Sequence, residues 1–424
     1  MSMKKNKLRQ FSLDLYSETL DNGLLINVIP KTNVNNIYVT FSTKYGSVHD
    51  EFIPIDQNDF YKVPMGVAHF LEHKVFEQED GKDPFTRFST NGADANANTS
   101  NYKTTYLFSG PSNLSDNLNF LLDFVQSPYF TDENVEKEKG IIAQELKMLN
   151  DKPYWHLYEK ALLNSFINHP IKYPVGGTLE TIKRITKDDL YTCYNTFYHP
   201  ANMFITISGN VEPEEVIDII KNNQDKKTFK SFKNITLKDY DEPDEVACKY
   251  EEIKFDVSLP KIAHCYKINK LDYDINRLKL YLTIYFSLVL DGSSLLDEKL
   301  REQHLISNGI DYEIVNTDKH LLFIVGFEST DYKKVLEELT SALGKVHITE
   351  EELNRKKKTL KSSFIYRSDN IFAINSKIDN NIIRYGEVIL DDFEIIDSLN
   401  IDEMNDIIDS INFNNISTTI LKND

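Results

Sequence analysis

A chain of 424 residues is too long for one ordinary hydrophobic core and implies two domains of about 200 residues each. With 41% hydrophobic and 27% charged residues it has a globular composition. A formal charge of −18 argues against a nucleic-acid partner, because phosphate repels an acidic surface. In chain order, LLINVIP and NIYVTFSTKYGS are short β-rich runs. A helix is predicted from about Val67 to Gln78. The stretch NGADANANTSNYKTTYLFSG reads as a turn followed by extended strands. Leu114, Leu118, Leu121, Leu122 and Val125 recur at helical spacing within 112–125. A longer helix is expected over 131–150, with Thr131 or Asp132 as N-cap and acids crowding its first turns. Further helices are predicted over 156–166 and from Thr186 to about Tyr198. The strand NMFITISGNV and the helix EPEEVIDIIKNN close this half.

Residues 226–250 carry mixed charge and few periodic apolar positions, and read as a linker between a domain at 1–225 and a second at 251–424. The second half repeats the mix. KIAHCYKI and HLLFIVGFE are predicted strands, and RLKLYLTIYFSLVL and DYKKVLEELTSALGKV predicted helices. FITISGNVEPEEVIDIIKNN and FIVGFESTDYKKVLEELTSAL share a strand-then-helix pattern, which implies two related α+β domains. The three cysteines, Cys193, Cys248 and Cys265, form no C-x-x-C pair. A disulfide framework or a cysteine-ligated metal is therefore not expected. The N-terminal segment has no apolar run after its lysines, and no stretch has the length for a membrane span. A cytoplasmic protein is the expectation.

The chemistry concentrates in His69-Phe70-Leu71-Glu72-His73. On a helix, positions i and i+4 share a face, so His69 and His73 can grip one ion. Glu72 projects beside them, where a carboxylate can take a proton from a metal-bound water. The order H-x-x-E-H is the inverzincin motif. Zinc suits imidazole and carboxylate ligands with one position left open. A third ligand is expected from Glu138 or Glu145, seven residues apart and on one helical face, with Ile141, Ile142 and Leu146 packing inward. The competing reading puts both acids on a solvated face.

At this point the sequence resembles the pitrilysin/insulinase-type metallopeptidases, which include mitochondrial processing peptidase. The resemblance runs from L-D-N-G-L at Leu20 through G-V-A-H-F-L-E-H, E-x(6)-E at Glu138 and Glu145, G-G-T-L-E-T-I at Gly176, and Y-H-P-A-N-M at Tyr198. It implies that each domain is a mostly antiparallel sheet packed with helices, and that the two together form half of a peptidase chamber. It implies Zn2+ held by His69, His73 and Glu145. It makes Glu72 the catalytic base and Glu138 the acid that supports the ligands. Asn96, Ala97, Asn98 and Thr99 resemble an edge strand that pairs with an extended peptide substrate. Arg301 and Tyr312 resemble a substrate-binding pair, although the usual tyrosine position is Asn308 and Tyr312 follows four residues later. Half-length relatives work as homodimers, or as heterodimers with a homologous subunit lacking the metal motif. The implied activity is endopeptidase cleavage of short or unstructured peptides. Two other readings stand beside it: a non-catalytic scaffold or chaperone-like subunit of the same fold, and a structural zinc site. The four intact motif residues argue against the first. The absence of a nearby cysteine argues against the second.

Overall fold

The structure is a computed structural model and describes residues 3–269, 273–343 and 346–423. The chain divides into two compact units. The first comprises Met1–Leu146, Pro174–Asp239 and Ser362–Asp392, and the second Lys147–Tyr173, Tyr240–Lys361 and Phe393–Asp424. This departs from a linear division at 226–250. The segment 147–173 belongs with the second unit, 362–392 with the first, and the connector is shared between them.

The first unit is built on a seven-stranded sheet. Its order is Lys4–Leu8, Leu13–Thr19, Leu25–Pro30, Met203–Gly209, Ile37–Thr43, Thr104–Gly110 and Asp94–Thr99. Only Leu25–Pro30 and Met203–Gly209 run parallel. Alternate residues of Ile37–Thr43 serve opposite faces, as a strand requires. Val39 and Phe41 are fully buried in the main core with Leu118, Leu121 and Val125 of the helix Leu114–Val125. On the other face Tyr38 packs on Phe372, and Thr40 Oγ1 donates to Asn375 Oδ1 at 2.9 Å. Both partners come from the helix Ile371–Tyr385. That helix covers Met203–Gly209 and Ile37–Thr43.

The second unit has a five-stranded sheet, ordered Tyr250–Lys254, Ile416–Lys422, Lys261–Asn269, His320–Glu328 and Asp311–Asn316. Only the first pair is parallel. Numbered along the chain, these strands lie in the order first, last, second, fourth, third. The five strands from Leu25–Pro30 to Asp94–Thr99 have that same order and the same directions. The two units are therefore topological repeats. The repeat corrects the expected pairing of segments. His320–Glu328 and the helix Tyr332–Ala342 match Thr104–Gly110 and Leu114–Val125, whereas Met203–Gly209 matches Ile416–Lys422. Of the expected helix 331–346, residues 344–345 lie outside the described residues. The helix Pro153–Ser165 covers Ile416–Lys422 and Lys261–Asn269, the same two sheet positions that Ile371–Tyr385 covers in the first unit. Each unit thus takes one helix from the other half of the sequence.

The three cysteines are free, and no described helix is long and apolar enough to cross a membrane.

Candidate metal centre

The motif helix is Val67–Val75, shorter than the predicted 67–78. Its start is set by Gly66, which adopts a left-handed φ of +92° and accepts the Phe70 N–H at 2.9 Å. Phe70, Leu71 and Val75 are fully buried and anchor one face, each contributing roughly 1.5–3 kcal/mol. The opposite stripe carries His69, Glu72 and His73. The entry is clamped by backbone contact with the loop at Gly176–Gly177. A Cβ on Gly66 would lie 2.5 Å from Gly176 O, and one on Gly177 (φ +74°) 2.5 Å from Met65 O. Gly176 itself faces the His69 ring, where a Cβ would meet Nδ1 at 3.5 Å. The glycine pair of G-G-T-L-E-T-I therefore has a physical task that its sequence alone did not disclose.

The partner helix, Asp132–Asn150, opens on a reciprocal cap. Thr131 Oγ1 accepts from Asn134 N at 3.1 Å, and Asn134 Oδ1 accepts from Thr131 N at 2.9 Å. Val135, Ile142 and Leu146 are its buried stripe, while Ile141, expected inside, is exposed. Glu138 and Glu145 flank that stripe and turn toward the motif helix. Lys74 is completely buried beneath them and donates to Asn134 O at 3.2 Å, tying the two helices together.

Three ligand atoms converge, one each from His69, His73 and Glu145, all within 4.8 Å of one another. Glu145 Oε2 lies 3.8 Å from His69 Nε2 and 3.6 Å from His73 Nε2. Atoms around one tetrahedral zinc sit about 3.3 Å apart, so the trio has the reach for one ion. Between the third-ligand candidates the geometry separates the roles. Glu138 Oε1 is 3.0 Å from the other ring nitrogen of His73, Nδ1. It meets the His73 ring and not the space between the three converging atoms, a placement that suits positioning His73 more than the catalytic role expected for Glu138.

Charge supports the same division. Burial raises the carboxyl pKa of Glu138, but the His73 hydrogen bond and charge outweigh it and hold the group below the usual carboxylate range. A carboxylate only accepts, so Nδ1 of His73 carries a proton, and the ring in its neutral form would offer the Nε2 lone pair to a metal. Burial pushes His69 down to about 4, with help from His73. It would lower His73 as well, yet the Glu138 bond and the charges of Glu138, Glu72 and Glu145 raise it. Two imidazoles among three carboxyl groups make a donor set that suits a divalent cation.

Glu72 is buried, and burial raises its carboxyl pKa against the opposing Thr99 hydrogen bond. Thr99 Oγ1 donates to Glu72 Oε2 at 2.5 Å. Thr99 ends the strand Asp94–Thr99, which forms the outer edge of its sheet. Asp94, Asn96 and Asn98 are exposed, and Ala95, Ala97 and Thr99 half-buried. The turn bond from Ser100 N to Lys103 O sets the antiparallel alternation. It leaves the backbone groups of Ala95, Ala97 and Thr99 on the open side. The Ala97 N–H is met there by Asn96 Oδ1 at 2.8 Å. Thr99 was legible as part of the edge strand, but not as the partner of Glu72.

Arg301 and Tyr312 belong to the second unit. Arg301, on the helix Leu295–Glu302, donates Nε to Asp297 Oδ2 at 2.5 Å. Tyr312 lies on the edge strand Asp311–Asn316 and donates to Asp291 Oδ1 at 3.0 Å. No bond joins the two among the described residues. The counterpart of the motif helix in this unit, Ile275–Leu290, carries no histidine.

The insulinase description (peptidase family M16) matches residues 62–179, and the peptidase M16 inactive domain matches 184–360. The chain belongs to this family. It is 38% identical to the uncharacterized zinc protease YmfH of Bacillus subtilis over 93% of this chain and 92% of that one. A crystal structure of a putative M16-like peptidase from Alicyclobacillus acidocaldarius superposes with a TM-score of 0.92 at 29% identity, covering 97% and 99% of the two chains. Pitrilysin shares the fold at 16% identity and a TM-score of 0.78, over 100% of this chain and 46% of pitrilysin. The inactive-domain match falls on sequence without the H-x-x-E-H motif, in agreement with the bare helix Ile275–Leu290.

Proposed function

We propose that this chain is a zinc-dependent endopeptidase of flexible peptides. The observation that carries the reading is the convergence of His69, His73 and Glu145 beside a buried glutamate, Glu72. Zinc, when bound, polarises the peptide carbonyl and lowers the pKa of its water. Glu72 is placed where it would accept a proton from an attacking water and pass it to the leaving amine. Glu138 keeps the His73 proton on Nδ1. The edge strand Asp94–Thr99 hydrogen-bonds an extended peptide backbone, with affinity that makes few demands on side chains. Asn96 releases the Ala97 N–H when the peptide pairs.

A second chain completes the working enzyme. Support comes from length, since the whole of this chain spans 46% of pitrilysin. The partner is a homologous subunit or a second copy. A reducing, cytoplasmic setting suits three free cysteines. Metal analysis tests the reading: about one zinc per chain is expected, and peptide hydrolysis should vanish with a chelator and return with zinc. A folded His73→Ala variant that retains full zinc would refute the ligand set.

A further inference from the structure

Glu72 is held from the edge strand, and the edge strand is held in turn from the far side of the sheet. Thr99 Oγ1 donates to Oε2 of Glu72 at 2.5 Å and so restrains the carboxylate from the strand side. Immediately after Thr99 the chain makes a tight turn. Ser100 N donates to Lys103 O at 2.8 Å, and Lys103 N to Ser100 Oγ at 3.2 Å. Backbone bonds from Ser47 and Val48, both 3.1 Å, grip one side of this turn. Side chains alternate across a strand. Thr104 therefore shares the Thr99 side, with their hydroxyl oxygens 3.3 Å apart, and Lys103 points the opposite way. There its ammonium lies 3.6 Å from Asp379 Oδ2. Asp379 belongs to the helix Ile371–Tyr385, which the first unit takes from the C-terminal half of the sequence. It is 1% exposed, and its Oδ1 finds no hydrogen-bond partner among the described residues. Burial pushes the carboxyl pKa of Asp379 up, and the Lys103 charge beside it opposes that shift.

We propose that Thr99 is a positioning residue for Glu72, and that the ion pair between half-buried Lys103 and buried Asp379 is its anchor. This rests on the metallopeptidase reading above. The C-terminal half of the chain then sets the orientation of a base carried by the N-terminal half. That gives the exchanged helix a catalytic consequence as well as a structural one. The second clamp, at Ser47 and Val48, keeps the turn formed when the anchor is cut, so the loss is one of alignment and not of fold.

The test compares the full-length wild type with Thr99→Val, Thr99→Ser, Lys103→Met and the Thr99→Val/Lys103→Met double variant. Valine keeps the shape of threonine and removes only the hydroxyl. Thr99→Val is expected to lower kcat by about 10- to 100-fold, on the scale of a displaced catalytic group, with KM and zinc content unchanged. Thr99→Ser should recover most of the loss. Lys103→Met should lower kcat in the wild-type background and add nothing to Thr99→Val, because both act through one bond. In metal-free protein, Lys103→Met should also speed amide exchange across residues 96–104. If Lys103→Met fails to fold, Asp379→Asn takes its place, since it removes the buried charge itself. Wild-type kcat in Thr99→Val would overturn the positioning role. Multiplying effects in the double variant, or unchanged exchange, would overturn the anchor. A wild type that hydrolyses nothing would sink the peptidase reading separately, and the exchange experiment would still decide the anchor.

Discussion

His73 is bracketed by two glutamates from one helix: Nδ1 lies 3.0 Å from Glu138 Oε1, and Nε2 lies 3.6 Å from Glu145 Oε2. In the proposed reading, one acid fixes the tautomer and the other completes the ligand set. The E-x(6)-E spacing of two helical turns makes this possible, because both carboxylates reach the same ring from one face.

Removal of Glu138 should therefore weaken metal binding without removing a ligand. Glu138→Ala is expected to lower zinc affinity by about 10- to 100-fold. Glu138→Gln should lose less, because its amide oxygen still accepts from Nδ1. Competition with a chromophoric chelator measures both. Equal affinity in wild type and Glu138→Ala would show that the bond has no part in binding.

The glycine clamp makes a second prediction. Gly177→Ala places a Cβ at a φ of +74° and 2.5 Å from Met65 O, next to the start of the motif helix. A cost of about 1–3 kcal/mol is expected, read as a lower urea midpoint, together with weaker zinc retention as His69 shifts. Gly81 also has a positive φ, +66°, but has nothing within 4 Å of its missing Cβ. Gly81→Ala should therefore leave zinc retention intact and serve as the control.

The second unit carries a buried pair with a defined pH signature. Glu242 binds Lys267 and accepts the backbone N–H groups of Ile167, Asn168 and His169 at 3.0, 2.6 and 2.7 Å. Burial raises its pKa, but the Lys267 bond and the three amides win, and the carboxyl is held below its ordinary value. The stabilisation is thus present above the unfolded pKa of about 4.3 and is lost as pH falls through the lower folded value. Glu242→Gln should cost about 3 kcal/mol at neutral pH, as breaking a buried pair does. Its urea midpoint should fall less steeply than that of the wild type below the ordinary glutamate range. Parallel pH profiles for the two proteins would exclude this role.

Assembly is open to a direct check. If a second chain completes the site, specific activity falls on dilution, or rises when a homologous subunit is added. Sedimentation at the assay concentration should show the associated species. A monomer whose specific activity is independent of dilution and of any added homologue would exclude the partner.

How much of this was legible in the sequence follows from the range of each interaction. The i,i+4 histidines and the i,i+7 glutamates are local, and helical period alone brings each pair to one face. Thr131 and Thr186 were readable as caps because their bonds span only three residues. The glycines at 66, 176 and 177 required knowledge of which backbones meet. Ile141 read as interior from its apolar character, but it lies on the side of the helix away from Val135, Ile142 and Leu146. The helices Pro153–Ser165 and Ile371–Tyr385 are each periodic and amphipathic. Nothing in that periodicity says which sheet they cover, so their exchange between units was invisible. The same holds for Asp379, whose partner Lys103 is 276 residues away.

The central claim is that Glu72 acts as a base beside a metal held by other residues. Peptide hydrolysis by zinc-loaded Glu72→Gln, set against the wild type at equal zinc content, tests it most directly. Glutamine keeps the size of the side chain and a bond to Thr99, but it cannot take the proton. The account predicts about one zinc per chain in both proteins, and a loss in kcat on the order of 10²- to 10⁴-fold in the variant. A variant that keeps its zinc and turns over peptide at the wild-type rate would contradict it.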